Sequence, residues 1–345
     1  MAYRVGIVGT GPRHRTVERG GGFAIARVQA DAWKTLQDVE LAAACDIRPE
    51  NLSAFTEDYG VAGYADYAEM LRDGQLDIVS VCTWPGLHSD MVVRAAEAGV
   101  KAIHCEKPMC LSLGEADRMI GACEANGVKL TVSHQRRFEP MYLRAKEWVS
   151  SGRIGRITDL RGRISGADAD LLSWGTHWID MFGFFLGDRP AKSVLAVTDT
   201  ESAIIRYGHP VEDRAVVLVD YGDGVTATVE GGDDLPTPEF RIVGEAGVIR
   251  IGDVLTGWFM GEGPASIETL VRAEVDFGNS YAAAFRDLVS TIGTDQAPVL
   301  DARLARNATE IIMAAYASSN RTQRVILPLD TETFPLRERS EFKRK

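Results

Sequence analysis

The chain has 345 residues, 45% hydrophobic and 25% charged, an ordinary globular composition long enough for two domains that each bury a core. Its net charge of -11 repels phosphate backbones and anionic lipid, which argues against nucleic acid or membrane partners while leaving a local basic pocket open. All five cysteines (Cys45, Cys82, Cys105, Cys110, Cys123) lie in the first half in apolar patterns, without a Cys-x-x-Cys pair. They are expected as reduced core residues of a cytoplasmic protein with no metal site. The first strand pattern opens at Tyr3, read as leaving no room for a signal peptide, and no apolar run approaches the length of a membrane span.

Residues 4–8 alternate into Gly9-Thr10-Gly11, and helical spacing follows over residues 23–36. Gly9 permits a tight turn, and Gly11 lets the backbone approach a pyrophosphate whose charge would sit against free helix N–H groups. The third glycine of the dinucleotide fingerprint is missing: His14 stands there, and residues 12–22 read as an extra loop ending in Gly20-Gly21-Gly22. Arg13 and His14, with Arg15 and Arg19, are candidates to touch phosphate or substrate from that loop, beside the plainer role of solvated charge. A second strand, residues 39–45, ends at Asp46. A carboxylate there accepts bonds from ribose hydroxyls and repels a 2′-phosphate, favouring NAD over NADP, although the same residue could cap a helix from Pro49.

Residues 76–83 form another apolar strand, and Trp84-Pro85-Gly86-Leu87-His88 turns into a helix stopped by Gly99. Thr83, Trp84, Pro85 and His88 are therefore cofactor-side candidates. The apolar run 100–103 leads into Glu106-Lys107-Pro108, placing this pair at a strand end, where open parallel sheets bind ligands. Pro108 keeps Lys107 from helical angles, and a lysine so held can donate or accept a proton; a solvated pair in a turn is the alternative. Ser112-Leu113-Gly114-Glu115 is a capping box for a helix closed by Asn126-Gly127, followed by a strand over 128–133. This alternation specifies a doubly wound parallel sheet.

From residue 140 the pattern changes. A helix over 140–149 and a join at 152–155 precede period-two strands at 157–164, 194–198, 215–221, 225–231, 241–243 and 248–251, read as an antiparallel sheet whose second face meets water or another subunit. Residues 175–186 are apolar nearly all round, with His177 and Asp180 as polar exceptions, and further helices are expected at 281–292 and 303–318. Arg136, Arg137 and Trp174 are candidates for substrate contact, although such residues more often pack or pair structurally.

Gly9-Thr10-Gly11, the Thr83–His88 turn, Glu106-Lys107-Pro108, Arg137-Phe138, Gly175-Thr176-His177-Trp178-Ile179-Asp180 and Val325-Ile326-Leu327-Pro328-Leu329 run through nearly the whole chain in one order. In these motifs the chain resembles the Gfo/Idh/MocA oxidoreductases. The resemblance implies a Rossmann domain holding NAD(P) over residues 1–138, with Gly9, Thr10, Gly11, Asp46, Glu106 and Lys107 on the cofactor side. It further implies an α+β domain with an open antiparallel sheet for substrate and oligomerisation over 139–330, and a tail over 331–345. Lys107 and His177 would be the catalytic pair, and the sheet would form a homodimer or homotetramer. Two positions depart from the family: Ser173 stands where many members carry an aspartate, with Asp168 and Asp170 close by, and Trp84-Pro85 stands where Pro-Asn is common. The implied reaction is hydride transfer between NAD and a secondary alcohol or ketone of a sugar, polyol or derivative. The alternatives are a glycoside hydrolase using transient oxidation and elimination, and a non-catalytic NAD- and sugar-binding regulator.

Overall fold

Short apolar strands alternating with helices assemble into a six-stranded parallel sheet. The computed structural model describes residues 2–13, 25–166, 168–252, 254–260, 265–271, 280–330 and 333–342. The chain divides into two compact units, Met1–Gln135 with Asn279–Arg303, and Arg136–Gly278 with Leu304–Lys345. In the first unit the order is β1 (Tyr3–Val8), α1 (Ile25–Lys34), β2 (Val39–Cys45), α2 (Pro49–Tyr59), β3 (Ala62–Tyr64), α3 (Tyr67–Asp73), β4 (Ile78–Val81), α4 (Pro85–Glu97), β5 (Ala102–Cys105), α5 (Leu113–Ala125) and β6 (Lys129–Val132). Sheet order is β3-β2-β1-β4-β5-β6 with every pairing parallel, so the topological switch lies between β1 and β4. β4 and β5 are buried along their whole length, as parallel strands covered on both faces are.

Two elements of the first unit carry no expectation from sequence: β3, too short to show a period, and α3. Yet Asp66 accepts from Glu69 N at 3.0 Å, so an N-cap signal was present. The capping box of α5 forms in looser shape. Ser112 Oγ accepts from Glu115 N at 3.3 Å, while the Glu115 carboxylate reaches back to Leu111 N at 2.9 Å.

The second unit contains α6 (Pro140–Ser150), β7 (Ile157–Ile164), α7 (Thr176–Leu186), β8 (Ser193–Asp199), β9 (Ile205–Arg206), β10 (His209–Pro210), β11 (Arg214–Gly222), β12 (Val225–Gly232), β13 (Glu239–Gly244), β14 (Gly247–Ile251), β15 (Val254–Phe259) and β16 (Ser266–Val271). After α8 (Ser280–Thr291) the chain ends through α9 (Ala302–Arg321) and β17 (Val325–Ile326). The sheet runs β16-β15-β14-β13-β7-β12-β11-β8-β17. It is open and mostly antiparallel, with one correction to the expected pattern: β7 and β12 pair in parallel. The long stretch between them, which includes α7, supplies the crossover that a parallel pair needs. Gly162 in β7 gives Trp178 of α7 room to lie on the sheet, since a Cβ there would stand 2.0 Å from the indole. Phe182 and Phe185 of the same helix pack on Phe240 of β13.

Helix α8 follows the second sheet in sequence but packs in the first unit. Its Phe285 stacks on Trp33 of α1 at 3.8 Å and 6°, and Tyr281, Ala282 and Leu288 join the same core. The first unit is therefore closed by a segment that sequence order alone assigns to the second half. Against this core lies His104, 1% exposed, with Nδ1 3.0 Å from Thr131 Oγ1 and burial pushing its pKa down to about 3. The folded state thus binds fewer protons than the unfolded chain between about pH 3 and 6.5, and the stability present above pH 6.5 is lost as pH falls. We expect a slope of up to about 1.4 kcal/mol per pH unit in that window. Urea unfolding across it should show a flatter slope for His104→Gln.

Candidate active-site residues of the two units

The glycine turn leaves β1 with φ of +86° at Gly9 and +64° at Gly11. A Cβ at Gly9 would meet Cys82 C and Thr83 N at 2.9 Å, so glycine is what lets this turn close against the end of β4, whereas Gly11 faces open space. Asp46, 8% exposed, sits at the tip of β2. Its Oδ2 accepts from Thr10 Oγ1 at 2.9 Å and Gly11 N at 3.1 Å, and its Oδ1 from Arg48 N at 2.9 Å. The capping alternative is met only in part: Arg48 holds the N-cap position of α2 and makes no side-chain cap bond. At the end of β4 the buried Thr83 Oγ1 has no hydrogen-bond partner. An open Cα at Gly11, the Asp46 carboxylate at the end of β2, and a buried hydroxyl without a partner at the end of β4 fit a dinucleotide.

Lys107 and Glu106 follow directly after β5, and the Lys107–Pro108 bond is cis. Lys107 is half-buried, but Glu106 is 5% exposed and turned inward. It accepts from Gln29 Nε2 at 2.7 Å, Lys107 N at 3.1 Å and Tyr281 OH at 3.3 Å, and burial raises its pKa. Its carboxylate therefore fixes the lysine's backbone from inside the unit. His88 also takes a structural place instead of the expected cofactor-side one. It is fully buried between the two loops, with ring nitrogens 3.0 Å from Pro108 O and 2.9 Å from Thr83 O, and burial lowers its pKa against the pull of these carbonyls. Pro85 opens α4 and is buried, whereas Trp84 is 50% exposed. Arg13 is engaged by α2, pairing with Asp58 and with Glu57 at 2.7 Å. His14, Arg15 and Arg19 lie outside the described residues.

In the second unit His177 is 2% exposed in the first turn of α7, and the Trp174 ring lies 5.7 Å from it. Trp174 is 42% exposed and stands on a single π turn, Leu171–Gly175. The Arg136 guanidinium lies 4.2 Å over Trp178 and 5.8 Å from both Trp174 and Tyr142. The structure thus groups Arg136, Trp174 and His177. It takes Arg137 away from this group, a correction to its expected role. Arg137 is 4% exposed and grips Asp180 through Nε at 2.9 Å and Nη2 at 2.8 Å, and Asp188 at 2.7 Å. Asp180 is consequently a partner of Arg137. Asp170 and Asp168, the nearby acids, pair with Arg206, and Asp170 caps the π turn.

A family model described as "Oxidoreductase family, NAD-binding Rossmann fold" matches residues 3–134, and one for the GFO/IDH/MocA C-terminal domain matches residues 142–250. The chain belongs to the Gfo/Idh/MocA oxidoreductases. Among curated members of that family, D-apiose dehydrogenase of Paraburkholderia graminis is 34% identical over 228 residues, 61% of this chain and 58% of the relative. Myo-inositol 2-dehydrogenase of Thermotoga maritima is 33% identical over 159 residues, 46% and 44% of the two chains. The matches thus span about half the length of these relatives. Of solved Gfo/Idh/MocA structures, levoglucosan dehydrogenase in complex with NADH and levoglucosan superposes with a TM-score of 0.82 at 20% identity, covering 95% of this chain and 100% of that one. An oxidoreductase from Agrobacterium radiobacter, in complex with NAD+, L-tartaric acid and magnesium, gives 0.78 at 23%, covering 94% and 98%. These likenesses show the same two-part fold, whose first part is a NAD-binding Rossmann domain.

Sequence reasoning missed Tyr281, Gln29 and Glu212. The first two hold Glu106, and the third holds the turn before His177. None stands in a motif, and only their distant partners reveal them.

Proposed function

We propose that the protein is a NAD-dependent dehydrogenase acting on a secondary alcohol, or in reverse on a ketone, of a sugar, polyol or sugar derivative. The observation that carries this reading is Lys107, held after β5 at the carboxyl edge of a NAD-binding sheet by a buried Glu106. NAD, when bound, supplies the hydride acceptor. The chain's own part is proton handling and orientation. The Lys107 ammonium donates to the substrate oxygen and stabilises its developing charge, and His177 takes or returns the hydroxyl proton. Trp174 and Arg136 offer an apolar wall and a cation to a polyhydroxy ligand. The names of the curated relatives, dehydrogenases of apiose and inositol, support oxidation over glycoside cleavage or a regulator without chemistry. Absorbance of NADH, with purified protein challenged by a panel of polyols, pentoses and sugar acids, tests the reading. Net NADH with an oxidised product supports it, and glycoside cleavage without net NADH, or stoichiometric binding without turnover, sinks it.

Oligomerisation through the second unit's sheet belongs to the same reading. Val216 of β11 pairs with Val197 of β8, and Leu218 with Leu195, and these four side chains with Ile326 are exposed on one face. An apolar patch of that kind supports an interface between copies of the chain. Val197→Asp with Leu218→Asp should convert a dimer or tetramer to monomer in light scattering, and a monomeric wild type would refute the idea. A cytoplasmic setting is supported by the five free cysteines, four of them buried. Among the described residues no helix is long and apolar enough to cross a membrane.

A further inference from the structure

The turn before His177 is fastened by two buried carboxylates that the proposed reaction does not use. Glu212 Oε1 accepts from Leu171 N at 2.6 Å, and Asp170 Oδ1 accepts from Ser173 N at 2.7 Å. Asp170's carbonyl accepts from Trp174 N at 3.1 Å and Gly175 N at 3.0 Å. Four N–H groups of the π turn, those of Leu171, Ser173, Trp174 and Gly175, are therefore met by these two residues, which are 1% (Asp170) and 2% (Glu212) exposed. Among the described residues one guanidinium answers the two charges: Arg206 of β9 binds Asp170 and lies 3.4 Å from Asp168. The other partner of Glu212 is neutral, Tyr316 OH of α9 at 2.8 Å. A buried carboxylate lacking its own cation is poised to take a proton, and burial together with the Asp170 charge raises the Glu212 pKa.

We propose that Glu212, with Asp170, is a positioning residue for the turn that carries Trp174 and leads into His177, gripping it as a carboxylate and loosening it as the neutral acid. This rests on the reading of His177 as a reacting group. Protonation would remove the charge assistance from the Leu171 N–H bond, the shortest contact the turn makes with Glu212. An open cavity of about 260 Å³, lined by Asp170, Arg206, Glu212, Asp213, Arg214 and Asp234 among others, gives solvent a route to the pair for proton exchange. The charged and titratable groups around Glu212 are Asp170 on the turn side, Arg206 on β9 with Asp168 beside it, Tyr316 on α9 with Arg339 acting on it, and the other charged residues of the cavity wall, Asp199, Glu201, Asp213, Arg214, Asp233 and Asp234.

The test uses the full chain labelled with fluorotryptophan, with the Trp174 resonance assigned by Trp174→Phe and followed from about pH 5 to about pH 9. Wild type should show one titration step at Trp174, and Glu212→Gln should abolish it. Tyr316→Phe, which removes a donor to the carboxylate, should move the midpoint up by about half a pH unit or more, and it keeps the test alive should Glu212→Gln fail to fold. A flat wild-type resonance, a step that survives Glu212→Gln, or a midpoint unmoved in Tyr316→Phe overturns the proposal. With any substrate found in the panel, Glu212→Gln should lower kcat about tenfold with KM within about twofold, and an unchanged kcat at every pH also overturns it. If no substrate turns over, the dehydrogenase reading fails while the fluorine titration still decides this one.

Discussion

Lys107→Met is expected to lower kcat by about a thousandfold, in the range that removing a general acid–base group produces, with the melting temperature little changed. The side chain is half-buried and stands two residues beyond the end of β5, and methionine keeps its length and apolar stem while deleting the ammonium. The backbone should hold its course, because Glu106 accepts from the residue's N–H, which the substitution leaves in place. NAD affinity, measured by fluorescence titration, should change much less than kcat. A variant that turned over substrate at the wild-type rate would remove Lys107 from the chemistry.

The second large effect is on stability. Arg137→Met should destabilise the second unit by about 3–5 kcal/mol, a loss in melting temperature of roughly 10 °C. Arg137's side chain is 3% exposed and Asp180's 2%, so the substitution strands a buried carboxylate that two N–H groups at 2.8 and 2.9 Å now satisfy. Asp188, at 34%, can turn to water and loses less. The double variant Arg137→Met/Asp180→Leu should recover part of the loss, since removing both charges leaves nothing buried and unpaired. Calorimetry checks both. If Arg137 were instead a substrate contact, KM would rise and the melting temperature would stay.

Why Arg137 misleads at the level of sequence is instructive. Two adjacent arginines after a strand look alike, yet Arg136 lies across Trp178 and Arg137 is drawn to an aspartate 43 residues on. Local pattern registers elements with a period, and there it succeeds: the strands over Val39–Cys45 and Ile157–Ile164 have the bounds that periodicity sets, and Gly9, Asp46 and Lys107 stand at strand ends as expected. It is blind to partners brought together by the fold. Tyr281 reaches Glu106 across 175 positions, Glu212 reaches Leu171 across 41, and His88 loses its place in the cofactor set because its ring closes on two carbonyls. The parallel pairing of β7 with β12 escapes for the same reason, since alternation within a strand is indifferent to its neighbour's direction.

The measurement that bears most directly on the central claim is the fate of a deuterium at the carbinol carbon of whichever panel substrate yields NADH. Direct hydride transfer predicts deuterium on the nicotinamide of the product NADH, a slowed rate in the wild type, and no label in water. Label lost to solvent, or a cleaved glycoside with NAD returned unchanged, would contradict it.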